Sequence, residues 1–182
     1  MEVWVCQFHQ KRSDLRFLAC TKHRLPNEYL GNYQRYGLSV EDFSEKDVNE
    51  IIYLTVKYCW ALDERDWVSL SEVFSSDAYA KYGITEHKGI ESIIEKCQKS
   101  LVPLDFSHHM VTNHVVEVEK DEAKCKCYFQ AQHVRSSASG GANFIIAGKY
   151  EDELLRINGE WKISSRVLTK IWTEGNEKVV NP

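Results

Sequence analysis

The chain has 182 residues, a net charge of −4, and a composition that is 43 % hydrophobic and 12 % aromatic. That suits one domain with an appendage and a real core. Charges of both signs are interspersed, and without a basic run or basic helix nucleic acid is excluded as an expected partner. The start, MEVWVCQFHQKRSDLRFLAC, lacks the apolar core of a signal peptide, and no segment could span a bilayer, so a cytoplasmic protein with no membrane partner is expected.

Residues 1–43 mix basic and aromatic residues without sustained periodicity and are expected to form an N-terminal extension of uncertain structure. A domain over residues 44–175, followed by a tail over 176–182, is predicted from there on. Ser44-Glu-Lys-Asp47 resembles a capping box, with Asp47 at the position usually held by Glu or Gln. Ile51, Ile52, Thr55, Val56, Cys59 and Leu62 then recur at helical spacing, and the helix is predicted to end near Glu64. Asp66 can cap a second short helix over 67–74. Ser75-Ser-Asp77 reads as a break and Ala78-Tyr-Ala-Lys-Tyr82 as a short strand. An amphipathic helix over 89–101 carries Ile90, Ile93, Ile94 and Cys97 on one side.

After Pro103 the period changes to that of strands. Four are predicted, over 109–119, 123–134, 144–157 and 160–173. Lys120-Asp-Glu122 turns the first, the polar loop 136–142 follows the second, and Asn158-Gly159 is a two-residue hairpin signal. Helices first and a long antiparallel meander after them define an α+β chain. Gly148 inside a strand predicts a bulge or a close approach.

The chemistry-bearing residues are sparse. The six cysteines lack zinc spacing and read as reduced, small hydrophobes. Phe106-Ser-His-His-Met-Val-Thr-Asn-His114 holds three of the seven histidines. Strict alternation puts His108 opposite to His109, and His109 opposite to His114. His108 and His114 share a face but lie roughly 20 Å apart, too far for one metal ion, so no metal is expected. Both faces are mixed, and periodicity alone favours His114 as the more buried. On the next strand His133 ends an apolar face shared with Ala123, Cys125, Cys127, Phe129 and Ala131. It is either a satisfied core histidine or one that needs a partner. Asp63 follows Ile52, Val56 and Cys59 on an apolar helix side, where it is either paired or capping the helix end.

Four segments taken together carry a resemblance. They are Tyr58-Cys-Trp-Ala-Leu-Asp63-Glu-Arg-Asp-Trp67, Ser107-His-His109-Met-Val-Thr-Asn113, Gly148-Lys-Tyr150 and Asn158-Gly-Glu-Trp161. Their order and spacing resemble the SnoaL-like group of the nuclear-transport-factor-like, cystatin-like cone fold, over roughly residues 44–175. Scytalone dehydratase, bile acid 7α-dehydratase and hexachlorocyclohexane dehydrochlorinase are similar in pattern, and all three are eliminating lyases. The resemblance implies a curved antiparallel sheet wrapped around N-terminal helices, forming a cone with an apolar pocket. It implies that His109, not His114, faces that pocket, with Asp63 against it as an acid–base dyad.

The implied activity is a cofactor-independent, dehydratase-type elimination on a small hydrophobic, possibly cyclic substrate. Tyr58, His133 and Tyr82, in that order, are candidates to donate to the leaving group, with Tyr82 and Phe129 in the substrate-binding wall. Arg166 and Lys170 share a face of the last strand, where they meet an anionic substrate group or simply face solvent. Two departures argue for a different substrate from scytalone's. Leu62 stands where that dehydratase has a tyrosine, and apolar residues near Ala147 stand where it has a polar pair. A polyketide cyclase or isomerase using the same dyad is an alternative. So is a non-catalytic binding or assembly subunit, like the small subunits of ring-hydroxylating dioxygenases. An open sheet edge predicts a homodimer or homotrimer.

Overall fold

The computed structural model describes residues 2–10, 16–24 and 45–181. The chain divides into two units, Met1–Phe43 and Ser44–Pro182. In the first, strands β1 (Glu2–Gln10) and β2 (Arg16–Arg24) pair antiparallel, with Glu2 opposite Arg24. The rest of the expected extension over 1–43 lies outside the described residues.

The second unit begins with helix α1 (Glu45–Asp63), which buries Ile51, Leu54, Thr55, Tyr58 and Leu62 along one stripe. It ends in a Schellman motif, with Asp66 N–H donating to Ala61 O (2.9 Å) and Arg65 N–H to Leu62 O (3.3 Å). Arg65 takes the left-handed position of that motif at φ 59°, where glycine is usual. Helix α2 (Trp67–Val73) follows, its first turn capped by the Asp66 carboxylate, which accepts from Ser69 N–H at 3.0 Å. Then come β3 (Phe74–Tyr82), β4 (Thr85–Lys88) and α3 (Ile90–Leu101), which buries Ile90, Ile93, Cys97 and Leu101. The long strands β5 (Phe106–Glu119), β6 (Glu122–Val134), β7 (Asn143–Ile157) and β8 (Glu160–Gly175) complete the sheet.

The six strands lie in the order β4-β3-β8-β7-β6-β5, a curved, unclosed sheet around the helices. All neighbours are antiparallel except β3 and β8, which run parallel. Buried residues of α1 to α3 pack against the concave face of the sheet. The fold is therefore mixed α+β, as the order of helical and strand periods predicts. The Asn158-Gly159 turn joins β7 to β8 with both residues at positive φ, 52° and 85°.

One local expectation is corrected, and two further details add to the sequence reading. Ser75-Ser-Asp77 is not a break but part of β3, where its pairing to β8 slips between Phe74 and Tyr79. Strand β4 is absent from the sequence reading because four polar residues between two glycines carry no alternation. The segment after β8, read as a tail, forms a one-turn 3₁₀ helix (Glu177–Val179) whose Val179 is 1 % exposed. Asn176 anchors it by donating to Ser139 O (3.1 Å) and Gly141 O (2.6 Å).

Strand β5 matters most. Thr112 pairs with Tyr128 but Val115 with Lys126, so one extra residue is inserted, and Asn113 adopts φ 57°. This bulge resets the alternation. Ser107, His109 and Val111 before it, and His114, Val116 and Val118 after it, all lie on the less exposed side. His109 and His114 therefore share a face, against the strict alternation expected. His114 Nε2 meets Thr55 Oγ1 at 2.8 Å, and burial pushes its pKa down.

Gly148 sits at a second bulge, between Ala147 and Gly148 opposite β8. A Cβ there would lie 2.1 Å from Thr169 O and 2.8 Å from Phe129 Cε1. Gly148→Ala is expected to destabilise the fold by about 1–3 kcal/mol, the usual range for overpacking. Urea unfolding would check this, and an unchanged midpoint would contradict the close approach.

Candidate active site

The concave side of the sheet holds a cavity of about 620 Å³, within the size range of small-ligand sites. Its inner wall is made of buried Tyr58, Phe129, Ala131, His133, Phe144 and Tyr150, with His109 among them. Its mouth carries exposed Ile84 and the polar Lys96, Lys170 and Glu177. Asp63 and His109 also border a second cleft of about 700 Å³, reaching Met110, Tyr128 and Trp172 around edge strand β5. The first cavity is the better candidate, because His109, His133, Tyr58 and Tyr82 line it together.

Asp63 is the last residue of α1, where a negative charge meets the negative end of the helix dipole. Strand β5 compensates with three donors. His109 Nδ1 lies 2.6 Å and Ser107 Oγ 2.9 Å from Asp63 Oδ1, while the His109 backbone N–H donates to Oδ2 at 2.8 Å. Burial works against the carboxylate, but the hydrogen bonds from His109 and Ser107 outweigh it and hold its pKa below the usual range. An ionised carboxylate has no proton to give, so Nδ1 carries the hydrogen of the shared bond. Nε2 is then left unprotonated in neutral His109, and it has no hydrogen bond among the described residues. Asp63 does not line the main cavity; it stands behind the imidazole that does.

Arg65 and Ser107 are parts of this arrangement that sequence reasoning passed over. The Arg65 guanidinium donates from Nη1 to Leu62 O (2.6 Å), Asp63 O (3.1 Å) and Ser107 Oγ (2.7 Å). It thus closes the end of α1 and fixes the hydroxyl that supports Asp63. A signal was present: a non-glycine residue two places beyond an aspartate that ends a helix, where glycine is the usual choice.

The other predicted site residues fall into two groups. Tyr58 and Tyr82 line the cavity with their hydroxyls 3.4 Å apart, and burial first of all raises both pKa values, so both phenols keep their protons. His133 packs edge-on to His109, ring centroids 5.7 Å apart. Phe129 stacks on Tyr150 at 4.5 Å, and Lys170 reaches the mouth. Arg166 is the exception. The expected substrate contact is corrected: its side chain is fully buried, lines no described cavity, and makes a bidentate pair with Asp152, both bonds 2.7 Å. The two residues are direct partners across β7 and β8, so the arginine that sequence reading leaves facing substrate or solvent is instead neutralised inside the cone.

The pKa of His133 is pushed down to about 4, by burial and then by the neighbouring His109. Its ordinary value is 6.5, so between pH 6.5 and about 4 the unfolded chain binds more protons at this position. Stability falls as pH falls through that window. A shift of this size is worth on the order of 3 kcal/mol. Asp63, with its lowered pKa, adds a loss only at lower pH. His133→Phe is expected to flatten the pH dependence of urea unfolding above pH 4, and equal profiles for both proteins would refute this.

Among the described residues no group of three or more His, Cys, Asp or Glu side chains is arranged to hold a metal ion. Nor is any described helix long and apolar enough to cross a membrane.

In this α+β scaffold a six-stranded curved sheet encloses a largely apolar cavity with an imidazole supported on its wall. The SnoaL-like domain family matches residues 45–167, and the chain belongs to it. An uncharacterized protein of Mycobacterium tuberculosis (strain H37Rv) is 30 % identical over 143 residues, covering 75 % of this chain and 92 % of the relative. Among the solved structures that share the fold are two with named activities. One, a candidate scytalone dehydratase from Novosphingobium aromaticivorans, has a TM-score of 0.65 and 20 % identity, covering 70 % of this chain and 86 % of its own. The other is hexachlorocyclohexane dehydrochlorinase LinA-type3 from Novosphingobium barchaimii. It has a TM-score of 0.64 and 21 % identity, covering 71 % of this chain and 89 % of its own.

Proposed function

We propose that this protein is a cofactor-independent lyase that carries out a dehydratase-type elimination on a small hydrophobic, ring-bearing substrate. The observation that carries the reading is the His109 imidazole, tied at Nδ1 to ionised Asp63 and placed on an apolar cavity. The names of the two structural neighbours, a dehydrochlorinase and a candidate dehydratase, agree with it.

In this mechanism His109 Nε2 takes a proton from a carbon next to an activating carbonyl. The C–H electron pair becomes the C=C bond, and the bond to the leaving hydroxyl breaks. Asp63 stabilises the imidazolium and holds the ring in its working tautomer. Tyr58 steadies the departing oxygen with a hydrogen bond and keeps its own proton, since burial disfavours the phenolate. The proton taken by His109 passes to that oxygen, water leaves, and the imidazole is neutral again. His133, held neutral, shapes the wall beside His109 and is a weaker donor than Tyr58. No step draws on a cofactor.

The test is product mass. The purified protein is incubated with a panel of cyclic β-hydroxy ketones, with His109→Ala as control. Loss of water that depends on His109 is the expected result. A product of unchanged mass would favour the isomerase or cyclase alternative, and no turnover with any activated substrate would favour a binding subunit.

A further inference from the structure

The apolar cavity does not end at its mouth. A second groove, about 630 Å³, adjoins it and shares Lys96, Ser100, Val180 and Asn181 with it. One wall is the outer stripe of α3, where Ser92, Lys96, Lys99 and Ser100 recur at helical spacing. The opposite wall includes Arg135, which follows β6 and donates to the Lys178 carbonyl of the 3₁₀ turn.

The chemistry changes across the shared residues. The inner cavity wall is aromatic and aliphatic, whereas the two spaces together are lined by Lys96, Lys99, Arg135 and Lys170 against Glu95 and Glu177. The combined lining is net positive in a chain of net charge −4. Among the described residues none of these four cations is ion-paired. Lys96 Nζ donates only to Ser100 Oγ, at 3.1 Å. Asp105 lies near enough to Arg135 to feel its charge, but hydrogen bonds from Ser136 satisfy that carboxylate first. Exposed lysines on a helix are ordinarily just solvated. Here they line a groove that shares four of its residues with the candidate active site.

We infer that the groove is an anion subsite of that same site, and that the substrate is an elongated amphiphile. Its apolar head, bearing the reacting carbon, lies against His109, and its tail carries a carboxylate or phosphate to Lys96, Lys99 and Arg135. This rests on the cavity being a substrate site, and it adds the substrate class. Lys170 at the mouth meets the tail where it leaves the apolar space.

The test needs no turnover. Three 2-naphthyl ethers share a four-carbon chain and end in a hydroxyl, a carboxylate or a phosphate. Their binding to the full chain is measured by calorimetry at low and moderate salt. The inference expects at least one anion to bind roughly tenfold tighter than the alcohol at low salt, a preference that shrinks as screening rises. Lys96→Gln with Lys99→Gln is expected to abolish the preference, and an unchanged urea-unfolding midpoint shows that the variant is folded. A tight phosphate beside a carboxylate that binds like the alcohol would identify the anion as phosphate. Equal affinities for all three probes, or a preference that survives in the variant, would overturn the inference while leaving the lyase reading intact. If none of the three binds, the cavity is not a substrate site, and both readings fall.

Discussion

His109→Ala is expected to lower kcat/KM by ~10²–10⁴, the usual worth of a positioned general base. Asp63→Asn is expected to do nearly as much, for a different reason. Asp63 accepts three hydrogen bonds through two oxygens, and all three donors are on β5. An asparagine has one acceptor oxygen and a donor amide. Either the His109 backbone N–H or the imidazole Nδ1–H then loses its acceptor. If the imidazole loses, its proton moves to Nε2 and the base faces the cavity already protonated. A wrong tautomer of this kind costs about 10⁴ in the serine-protease triad. Nitrogen-15 spectra would report it without any substrate: Nδ1 protonated in the parent protein, Nε2 in Asp63→Asn. Unfolding midpoints would show that both variants stay folded. An Asp63→Asn protein retaining more than about a third of the parental kcat/KM would remove Asp63 from the mechanism.

The dyad geometry also shows what a sequence can and cannot display. The element order was legible because local signals agreed: the helical stripe of α1, the alternation of β6 and the Asn158-Gly159 turn. On β6 every residue expected on the apolar face, from Ala123 to His133, is buried. The histidines of β5 were not legible by alternation. One bulge at Asn113 changes the face of everything after it, and asparagine permits a left-handed conformation without demanding it. Whether the bulge forms depends on pairing with β6, which is a non-local event. The parallel union of β3 with β8 is equally non-local, and so is the support that Arg65 gives to Ser107 across 42 positions. The resemblance to SnoaL-like proteins pointed to His109 where periodicity pointed to His114. Residue by residue, then, family pattern named the Asp63–His109 pair that the fold brings together, and local pattern located the scaffold.

Arg166 is the residue whose sequence reading failed most clearly, and it leads to the second large effect. Its guanidinium is fully buried and bidentate to an equally buried Asp152. The remaining nitrogen, Nη1, has no hydrogen bond, and Cζ instead lies 4.1 Å from the ring centre of Tyr58 and 4.3 Å from that of Tyr150. Ring faces attract a desolvated cation and take the place of the missing acceptor. Removing one partner strands the other charge in the core, so Arg166→Met and Asp152→Asn are each expected to lose about 3–5 kcal/mol in urea unfolding at neutral pH. Removing both should be milder, because matched apolar replacements of a buried pair are often near neutral. The double variant Asp152→Leu/Arg166→Met is therefore expected to recover most of the stability. Activity should not recover with it. Tyr58 would lose the cation that holds its ring, and its hydroxyl is the group proposed to meet the leaving oxygen. A stable double variant with low kcat and parental KM would make Arg166 a positioning residue for Tyr58. A stable double variant with parental kcat would make the ion pair purely structural. Single variants that lose less than about 1 kcal/mol would mean that water reaches the pair and that its burial carries no such penalty.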